Sequence, residues 1–451
     1  MRPAQAQLFS GDVWRERAGS WVAGGAVAAV SVGFAKLVDA ATVVLHMALA
    51  KAFWLPLVAT PVAFTVLAAV TMRYFPAAAG SGIPNAMAAL KAQSASTLER
   101  LFDLKMIVAR IALSATAILF GASVGREGPT VHVGAAVAYR FGRWIPRYAA
   151  PLQRRTLVLA GGAAGIAAAF NTPLAGIVFA IEELARSYET RASGTTLVAV
   201  LIAGVVSLAL VGDYTYFGHP VLPAAAGELF LPAAGIGIVG GLLGGLFSML
   251  LLRFSGDTGP VAAFRRNRPM MFAFSCGMAV AVAGVLSGGS AFGTGYEPAR
   301  AVLEGGTTSL GFVPAKFVAT LASQMAGIPG GLFAPCLAVG AGLGQLAANL
   351  PGMPVVSGLA ILGTCAFLTG VTQAPMTAFI IVMEMTGLHQ LVLPLMVVAL
   401  FSSTASRMLS PSLYHELADQ LLADDAALAP PAPPVEDARP KAEPAGGSGP
   451  G

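Results

Sequence analysis

The sequence predicts an all-α polytopic membrane protein. Two observations indicate this fold class, namely the composition and the length of the runs without charged residues. Of the 451 residues, 56% are hydrophobic and only 11% are charged, with a mean hydropathy of +0.74. Soluble domains carry roughly 25% charged residues. Several uncharged runs exceed the ~20 residues that a helix needs to cross a bilayer, whereas the strands of a transmembrane β-barrel are about half as long. The 3 cysteines are too few, and lie in too apolar a setting, for a disulfide scaffold.

The uncharged runs locate the predicted membrane-embedded parts of the chain. They comprise residues 156–181, 192–212, 229–252, 269–296, 317–383 and 385–406. The run 317–383 could hold about three passes at ~20 residues each, but Pro329, Pro335, Pro351 and Pro375 interrupt it. Because proline inside a helix removes a backbone hydrogen bond, we expect several broken helices there.

The two ends of the chain differ from the apolar middle. Basic residues from Arg2 to Arg17 precede the first apolar stretch without the cleavage pattern of a secretory signal. We therefore expect residues 1–19 to form a cytoplasmic N-terminal segment. Residues 423–451 are rich in proline and glycine, which predicts a disordered tail. The transmembrane domain is predicted over residues 20–422.

Two windows of the sequence repeat one another at a nearly constant separation. Their matching segments are Gly125-Arg126-Glu127-Gly128-Pro129 with Gly331-Leu332-Phe333-Ala334-Pro335, and Asn171-Thr172-Pro173 with Gln373-Ala374-Pro375. The matched prolines lie 206 residues apart (335−129) in the first pair and 202 apart (375−173) in the second, so one four-residue gap aligns both. In each half, a glutamate follows the later proline by nine residues, namely Glu182 and Glu384.

Helix breaks at matching positions in two halves are typical of transporters built from repeats, in which broken helices meet at a site near the bilayer midplane. We expect the halves to span approximately residues 20–215 and 228–410 and to have inverted topology. We also expect their broken helices to form a midplane anion site.

Three glycine-rich segments, at residues 80–84, 125–129 and 330–335, are each predicted to open a helix. Helix N-termini leave about four backbone N–H groups unpaired and carry partial positive charge, so several that converge can bind an anion. Ordinary kinks in packed helices are the alternative for any single segment. Glu127 stands between glycines at one such start, where its carboxylate can occupy the N–H groups that would hold an anion. An ion pair with Arg126 is the alternative for this glutamate.

These segments resemble the signature of the CLC family of chloride channels and chloride/proton exchangers. The sequences GSGIP at 80–84, GREGP at 125–129 and GGLFAP at 330–335 occur in the family's order, and the resemblance extends from about Ser20 to Leu422. It implies that Glu127 is the gating glutamate, which competes with chloride for the pathway.

The resemblance further implies that Glu183 is the internal proton acceptor of an exchanger, whereas the alternative from spacing alone is a surface pair with Arg186. It also implies anion binding by the hydroxyls of Ser81 and Tyr414 and by the backbone N–H groups of Leu332 and Phe333. From the residues alone, Ser81 could be a helix N-cap, and Tyr414 could lie at the membrane interface. Supporting roles are expected for Gly80, Gly82, Gly125, Arg126, Gly128, Gly331 and Glu182.

The expected function is therefore chloride/proton antiport, and a passive voltage- or proton-gated chloride channel of the same fold is the alternative. A fluoride exporter is less favoured because Ser81 suits chloride or nitrate-like anions, and a non-transporting scaffold would not need Glu127 in a membrane. The resemblance implies a multi-pass homodimer in the plasma membrane, in contact with lipid. Its expected partners are chloride or other small monovalent anions, and protons.

Other classes of function find no support in the sequence. We expect no enzyme, cofactor or metal site, because no P-loop, nucleophile elbow or cluster of metal ligands occurs. The net charge of +5 lies in short clusters between apolar runs, so nucleic acid is not an expected partner. No nucleotide-binding domain is expected after residue 423. Two departures from the family pattern are Asn85, where an acidic residue is common, and His132, where glutamine is frequent.

Overall fold

The computed structural model describes residues 11–145, 148, 150, 154–185, 194–212, 215–218, 220, 226–256, 258–353 and 356–428. The regular structure in these ranges is helical, as predicted. Five helices in them are long and apolar enough to cross a membrane: Trp21–Lys51, Pro56–Tyr74, Gly227–Ser255, Pro269–Leu286 and His389–Arg407. The chain is accordingly built as a multi-pass membrane protein.

The helices of the first half are α1 (Gly11–Lys51), α2 (Pro56–Tyr74), α3 (Ile83–Lys91), α4 (Ala95–Leu101), α5 (Leu104–Leu119), α6 (Glu127–Phe141), α7 (Arg155–Phe170), α8 (Pro173–Phe179) and α9 (Gly194–Val211). A π-helical turn, Ala180–Ala185, continues α8. The helix α1 begins within the predicted N-terminal segment 1–19, of which residues 1–10 lie outside the described part of the chain.

The helices of the second half are α10 (Phe230–Ser255), α11 (Pro260–Asn267), α12 (Pro269–Leu286), α13 (Tyr296–Leu303), α14 (Phe312–Met325), α15 (Phe333–Ala348), α16 (Val356–Thr372), α17 (Pro375–Thr386), α18 (Val392–Arg407) and α19 (Leu413–Leu428). The run 317–383 is divided among four of them, which confirms the predicted breaks. The last helix continues past residue 423, where the tail was predicted to begin, and residues 429–451 lie outside the described residues.

In each half, a pair of glycines lets two helices of that half cross at close range, and the two crossings match. A Cβ atom on Gly134 would lie 2.4 Å from the carbonyl oxygen of Gly161, and one on Gly340 would lie 2.4 Å from the carbonyl oxygen of Gly363. These are the α6–α7 and α15–α16 crossings. The separations are 206 (340−134) and 202 (363−161) residues, the two values found in the sequence. The packing of both halves therefore follows one plan.

Two repeat-related glutamates each cap a helix of the opposite half. The Glu182 carboxylate accepts hydrogen bonds from the backbone N–H groups of Met376 (3.0 Å) and Thr377 (2.6 Å) at the start of α17. The Glu384 carboxylate accepts them from Leu174 (3.1 Å) and Ala175 (2.6 Å) at the start of α8. Such reciprocal contacts relate the halves by a pseudo-two-fold axis, as an inverted repeat requires.

The chain enters these two capped helices through the same unusual backbone conformation. Asn171 and Gln373 have φ angles of 57° and 58°, and they are the non-glycine residues with positive φ in the described part of the chain. Side chains other than glycine rarely adopt this left-handed region. Its occurrence 202 residues apart supports the repeat independently of the motifs.

Candidate anion and proton site

The three glycine-rich segments meet through their backbones. Gly125 and Gly331 exchange two hydrogen bonds, with N···O distances of 2.8 and 2.7 Å, and so join the loops that open α6 and α15. The Gly330 N–H donates to the carbonyl oxygen of Gly80 (3.1 Å), and the Gly80 N–H donates to that of Ile328 (3.3 Å), which attaches the loop before α3. Segments distant in sequence thus bring three helix N-termini together, as the sequence predicted.

Glu127 begins α6 and directs its carboxylate across this junction into the opposite half. One oxygen, Oε2, accepts a hydrogen bond of 3.4 Å from the backbone N–H of Ala334 in the first turn of α15. The other oxygen, Oε1, is buried and has no hydrogen-bond partner among the described residues. The side chain is fully buried. A carboxylate therefore lies on a helix N-terminus at the position that an anion would take.

Ser81 and Tyr414 contribute two buried hydroxyl groups close to the same junction. Neither oxygen has a hydrogen-bond partner that meets normal geometry within the described residues. The Ser81 hydroxyl packs against Gly128, where an added Cβ atom would lie only 2.3 Å from Oγ. The Tyr414 ring is fully buried and stacks on Phe333, with centroids 6.3 Å apart and planes 9° apart. Buried unpaired hydroxyls are uncommon and require an explanation.

Ser81 does not lie at a helix N-cap, and Tyr414 is not exposed at the membrane interface. The residue that precedes α3 is Gly82, in a left-handed conformation with φ 93°, and no side chain caps that helix. Ser81 is thus no helix N-cap. Tyr414 is buried inside the protein, so it is no exposed residue of the membrane interface. Leu332 precedes α15 and Phe333 is its first residue, which leaves their backbone N–H groups at the junction.

Glu183 lies in the π-helical turn after α8 and is only 3% exposed, so it is not a solvated surface residue. Its Oε1 atom is 3.7 Å from Nδ1 of His415, and the same ring nitrogen lies 3.2 Å from the hydroxyl of Ser412. His415 directly follows Tyr414 in α19. The helix that carries the Tyr414 hydroxyl to the junction thus also places an imidazole beside Glu183.

Two other residues near the junction make hydrogen bonds to more distant segments. Arg126 donates from Nη1 to Asp39 (2.8 Å) and to the carbonyl oxygen of Ala35 (3.1 Å). His132 Nε2 lies 3.1 Å from the carbonyl oxygen of Leu101.

Two cavities approach the junction. One of about 500 Å³ is lined by residues that include Ser81 and Leu332. The other, of about 370 Å³, is lined by residues that include Arg126 and Tyr296. Glu127 follows Arg126 and is itself fully buried. The linings of the two cavities thus include neighbours of the junction, whereas the Glu127 side chain itself is enclosed by protein.

The comparisons with known proteins agree with this geometry. Residues 63–407 match the model of the voltage-gated chloride channel family. The chain belongs to this family. A ClcB-like chloride channel protein of Ralstonia nicotianae is 31% identical over 376 residues, which cover 80% of this chain and 85% of that protein.

Solved structures of CLC proteins share the fold. A slow cyanobacterial chloride/proton antiporter matches with a TM-score of 0.76 and 22% identity, over 91% of this chain and 99% of that one. A CLC-type fluoride/proton antiporter matches with a TM-score of 0.73 and 23% identity, over 89% and 96%. A eukaryotic CLC transporter gives 0.72 and 21%, over 91% and 74%. The all-α fold with repeated halves is therefore that of CLC transporters.

Sequence reasoning missed several residues around the site. Ala334 supplies the N–H group that holds Glu127, and its place in the GGLFAP segment beside Leu332 and Phe333 was the available signal. His415 could not be found as a neighbour of Glu183, because the two are 232 positions apart (415−183) and no pattern in the sequence predicts the contact. Arg110 and Lys316 are buried beside the site, and the 206-residue offset that relates them was already visible.

Proposed function

We propose that the protein is a chloride/proton antiporter in which Glu127 is the gate. The observation that carries the proposal is the Glu127 carboxylate on the Ala334 N–H group, inside a junction of three helix N-termini. A helix N-terminus that holds a carboxylate can hold chloride by the same N–H groups and partial charge. The two therefore compete for one position, and protonation of Glu127 removes its advantage.

The hydroxyls of Ser81 and Tyr414 and the backbone N–H groups of Leu332 and Phe333 complete the proposed anion site. Their donors are neutral, so they can stabilise chloride without trapping it as a bound lysine would. The remaining members of the three segments, Gly80, Gly82, Gly125, Gly128 and Gly331, permit the close backbone approach on which the site depends.

Glu183 is the proposed acceptor of the proton on the far side of the anion site. Its burial next to His415 and Ser412 supports this role, because an isolated carboxylate inside protein is costly unless it is neutral or paired. Two proteins of similar structure are described as a chloride/proton antiporter and a fluoride/proton antiporter, and this likeness supports the proposal of proton coupling. Glu182 supports the site from its cap on α17.

Paired chloride and proton fluxes from liposomes test this function. With a chloride gradient and a controlled membrane potential, the native protein should move protons uphill. Glu127→Gln and Glu183→Gln should each abolish proton movement while chloride still flows. Glu416→Gln, which neutralises an exposed acid on the helix of Tyr414, is the control and should retain coupling. Chloride efflux without proton movement in the native protein would make it a channel, and coupling that survives Glu127→Gln would refute the gate.

The proposed setting is a homodimer in the plasma membrane, in contact with lipid, with a cytoplasmic N-terminus and one pathway per subunit. Light scattering on the purified protein in detergent should give the mass of two chains. A flux assay in which fluoride replaces chloride tests the anion selectivity. We expect chloride to be preferred, because Ser81 provides a hydroxyl donor.

A further inference from the structure

Two fully buried cations occupy matching positions in the two halves. Arg110 lies in α5 and Lys316 lies in α14, and both side chains are 0% exposed. They are 206 residues apart (316−110), which is the offset that aligns the glycine-rich segments. An ionised group inside protein is costly unless an opposite charge compensates it. Two such groups at one repeat position therefore need an explanation.

Arg110 holds the loop that carries Ser81. Its Nη2 atom donates to the carbonyl oxygen of Ala77 (2.6 Å), and Nη1 donates to that of Gly80 (3.2 Å). A Cβ atom on Gly82 would lie 2.6 Å from Nη1. The guanidinium thus contacts both residues that flank Ser81.

Lys316 holds the equivalent loop of the second half. Its Nζ atom donates to the carbonyl oxygens of Ala291 (3.1 Å) and Gly293 (2.7 Å), just before α13 begins. A Cβ atom on Gly295 would lie 2.7 Å from Lys316 Cε and 2.7 Å from Cβ of Ala338, so Lys316 lies beside α15. One cation therefore contacts the loop that carries Ser81, and the other lies beside α15, the helix whose Ala334 N–H group holds Glu127.

Neither cation forms an ion pair with an acid in the described part of the chain. The side-chain acceptor that Arg110 reaches is the neutral Oδ1 of Asn85, at 3.2 Å, and the amide of Asn85 in turn donates to the carbonyl oxygen of Ala77 (3.0 Å). The Nε–H group of Arg110 is buried without a partner. Arginine stays protonated in proteins, so this charge is held by dipoles alone.

We infer that the bound anion and Glu127 balance the positive charges of Arg110 and of protonated Lys316, and that Asn85 sets anion affinity by leaving Arg110 uncompensated. This inference rests on the proposed anion transport. The competing explanation is that the two cations only clamp their loops. The explanations differ for Asn85→Asp, because a carboxylate would hold the guanidinium more firmly but cancel its charge.

Calorimetric titration of chloride into the purified full-length protein distinguishes the two. Asn85→Asp should raise the chloride Kd roughly tenfold or more relative to Asn85→Ala, because at an effective dielectric constant of ~20 a unit negative charge ~10 Å from the anion weakens binding by about that factor. Both variants lose the amide donor to Ala77, and only Asn85→Asp keeps an oxygen acceptor for Arg110, so Asn85→Asp is compared both with Asn85→Ala and with the native protein. Equal Kd values for the two variants, or tighter binding by Asn85→Asp, would overturn the inference.

Lys316 gives an independent comparison should Asn85→Asp fail to fold. Lys316→Gln keeps hydrogen-bond donors but removes the charge and should weaken chloride binding, whereas Lys316→Arg should restore it. Equal binding by both variants would overturn the inference. If the native protein binds chloride and couples protons, and the variants bind chloride as tightly as the native protein, only this inference is contradicted and the proposed function stands. Native protein that binds no chloride contradicts the proposed function as well.

Discussion

Removal of the two unpaired hydroxyls, in Ser81→Ala and Tyr414→Phe, should weaken chloride binding without weakening the fold. Both oxygens are buried and have no hydrogen-bond partner in the described structure. A hydrogen bond to a charged group contributes about 1.5–3 kcal/mol, and every ~1.4 kcal/mol is tenfold in affinity. Each substitution should therefore raise the chloride Kd by roughly 10- to 150-fold.

The same two substitutions should leave stability in chloride-free buffer unchanged or raised. An unsatisfied buried polar group costs about 1–3 kcal/mol, and neither substitution removes packing. Ser81→Ala keeps the side-chain volume nearly constant, and Tyr414→Phe keeps the ring that stacks on Phe333. The free energy that chloride adds to the folded protein should fall in both variants, because ligand that binds only the native state stabilises it.

Calorimetric titration with chloride and thermal unfolding with and without chloride measure both effects. Ser31→Ala and Tyr139→Phe are matched controls, because their hydroxyls donate to the carbonyl oxygen of Val27 (2.7 Å) and to Glu99 (3.1 Å) within the protein. They should leave the chloride Kd unchanged. The reasoning is refuted if Ser81→Ala and Tyr414→Phe bind chloride as the native protein does. It is equally refuted if they lose stability in chloride-free buffer, since the hydroxyls would then be bonded internally.

Two further predictions concern the contacts between and within the halves. Glu182→Ala and Glu384→Ala each remove two hydrogen bonds to a carboxylate, and each should lower the unfolding free energy by about 3 kcal/mol. Chemical denaturation should give equal losses for the two variants. A clear inequality would contradict the reciprocity of the caps. Gly161→Ala and Gly363→Ala should each destabilise the folded protein by about 1–3 kcal/mol or more through overpacking. Gly25→Ala is the control, because no atom lies within 4 Å of the new Cβ, and it should leave stability unchanged. Equal melting temperatures for all three variants would refute the close crossings.

The sequence predicted the fold through features that act locally. The prolines in the run 317–383 predicted several broken helices there, and the structure divides that run among four. The two offsets, 206 and 202, predicted the repeat, and the helix crossings at Gly134 and Gly340 keep the same register. The three helix N-termini at the site were predictable because each carries its own glycine-rich segment.

Contacts between distant segments were not predictable in this way. Glu182 gave no sign that it caps α17, because the N–H groups that it accepts from lie 194 and 195 residues away. The same holds for Glu183 beside His415. Arg110 and Lys316 are an intermediate case. Their shared offset was visible in the sequence, but only burial distinguishes two embedded cations from the many basic residues of juxtamembrane loops.

The contacts between the halves favour a small gate over a large rearrangement. Rocking one repeat against the other, a common form of alternating access, would separate Glu182 from α17 and Glu384 from α8. Those caps comprise four hydrogen bonds to carboxylates, at about 1.5–3 kcal/mol each, so breaking them would cost roughly 6–12 kcal/mol. Rotation of the Glu127 side chain breaks the 3.4 Å hydrogen bond to Ala334 and leaves both caps intact. Under the proposed function, a chain tied together by reciprocal caps therefore opens its anion site at the lowest cost by rotation of the Glu127 carboxylate.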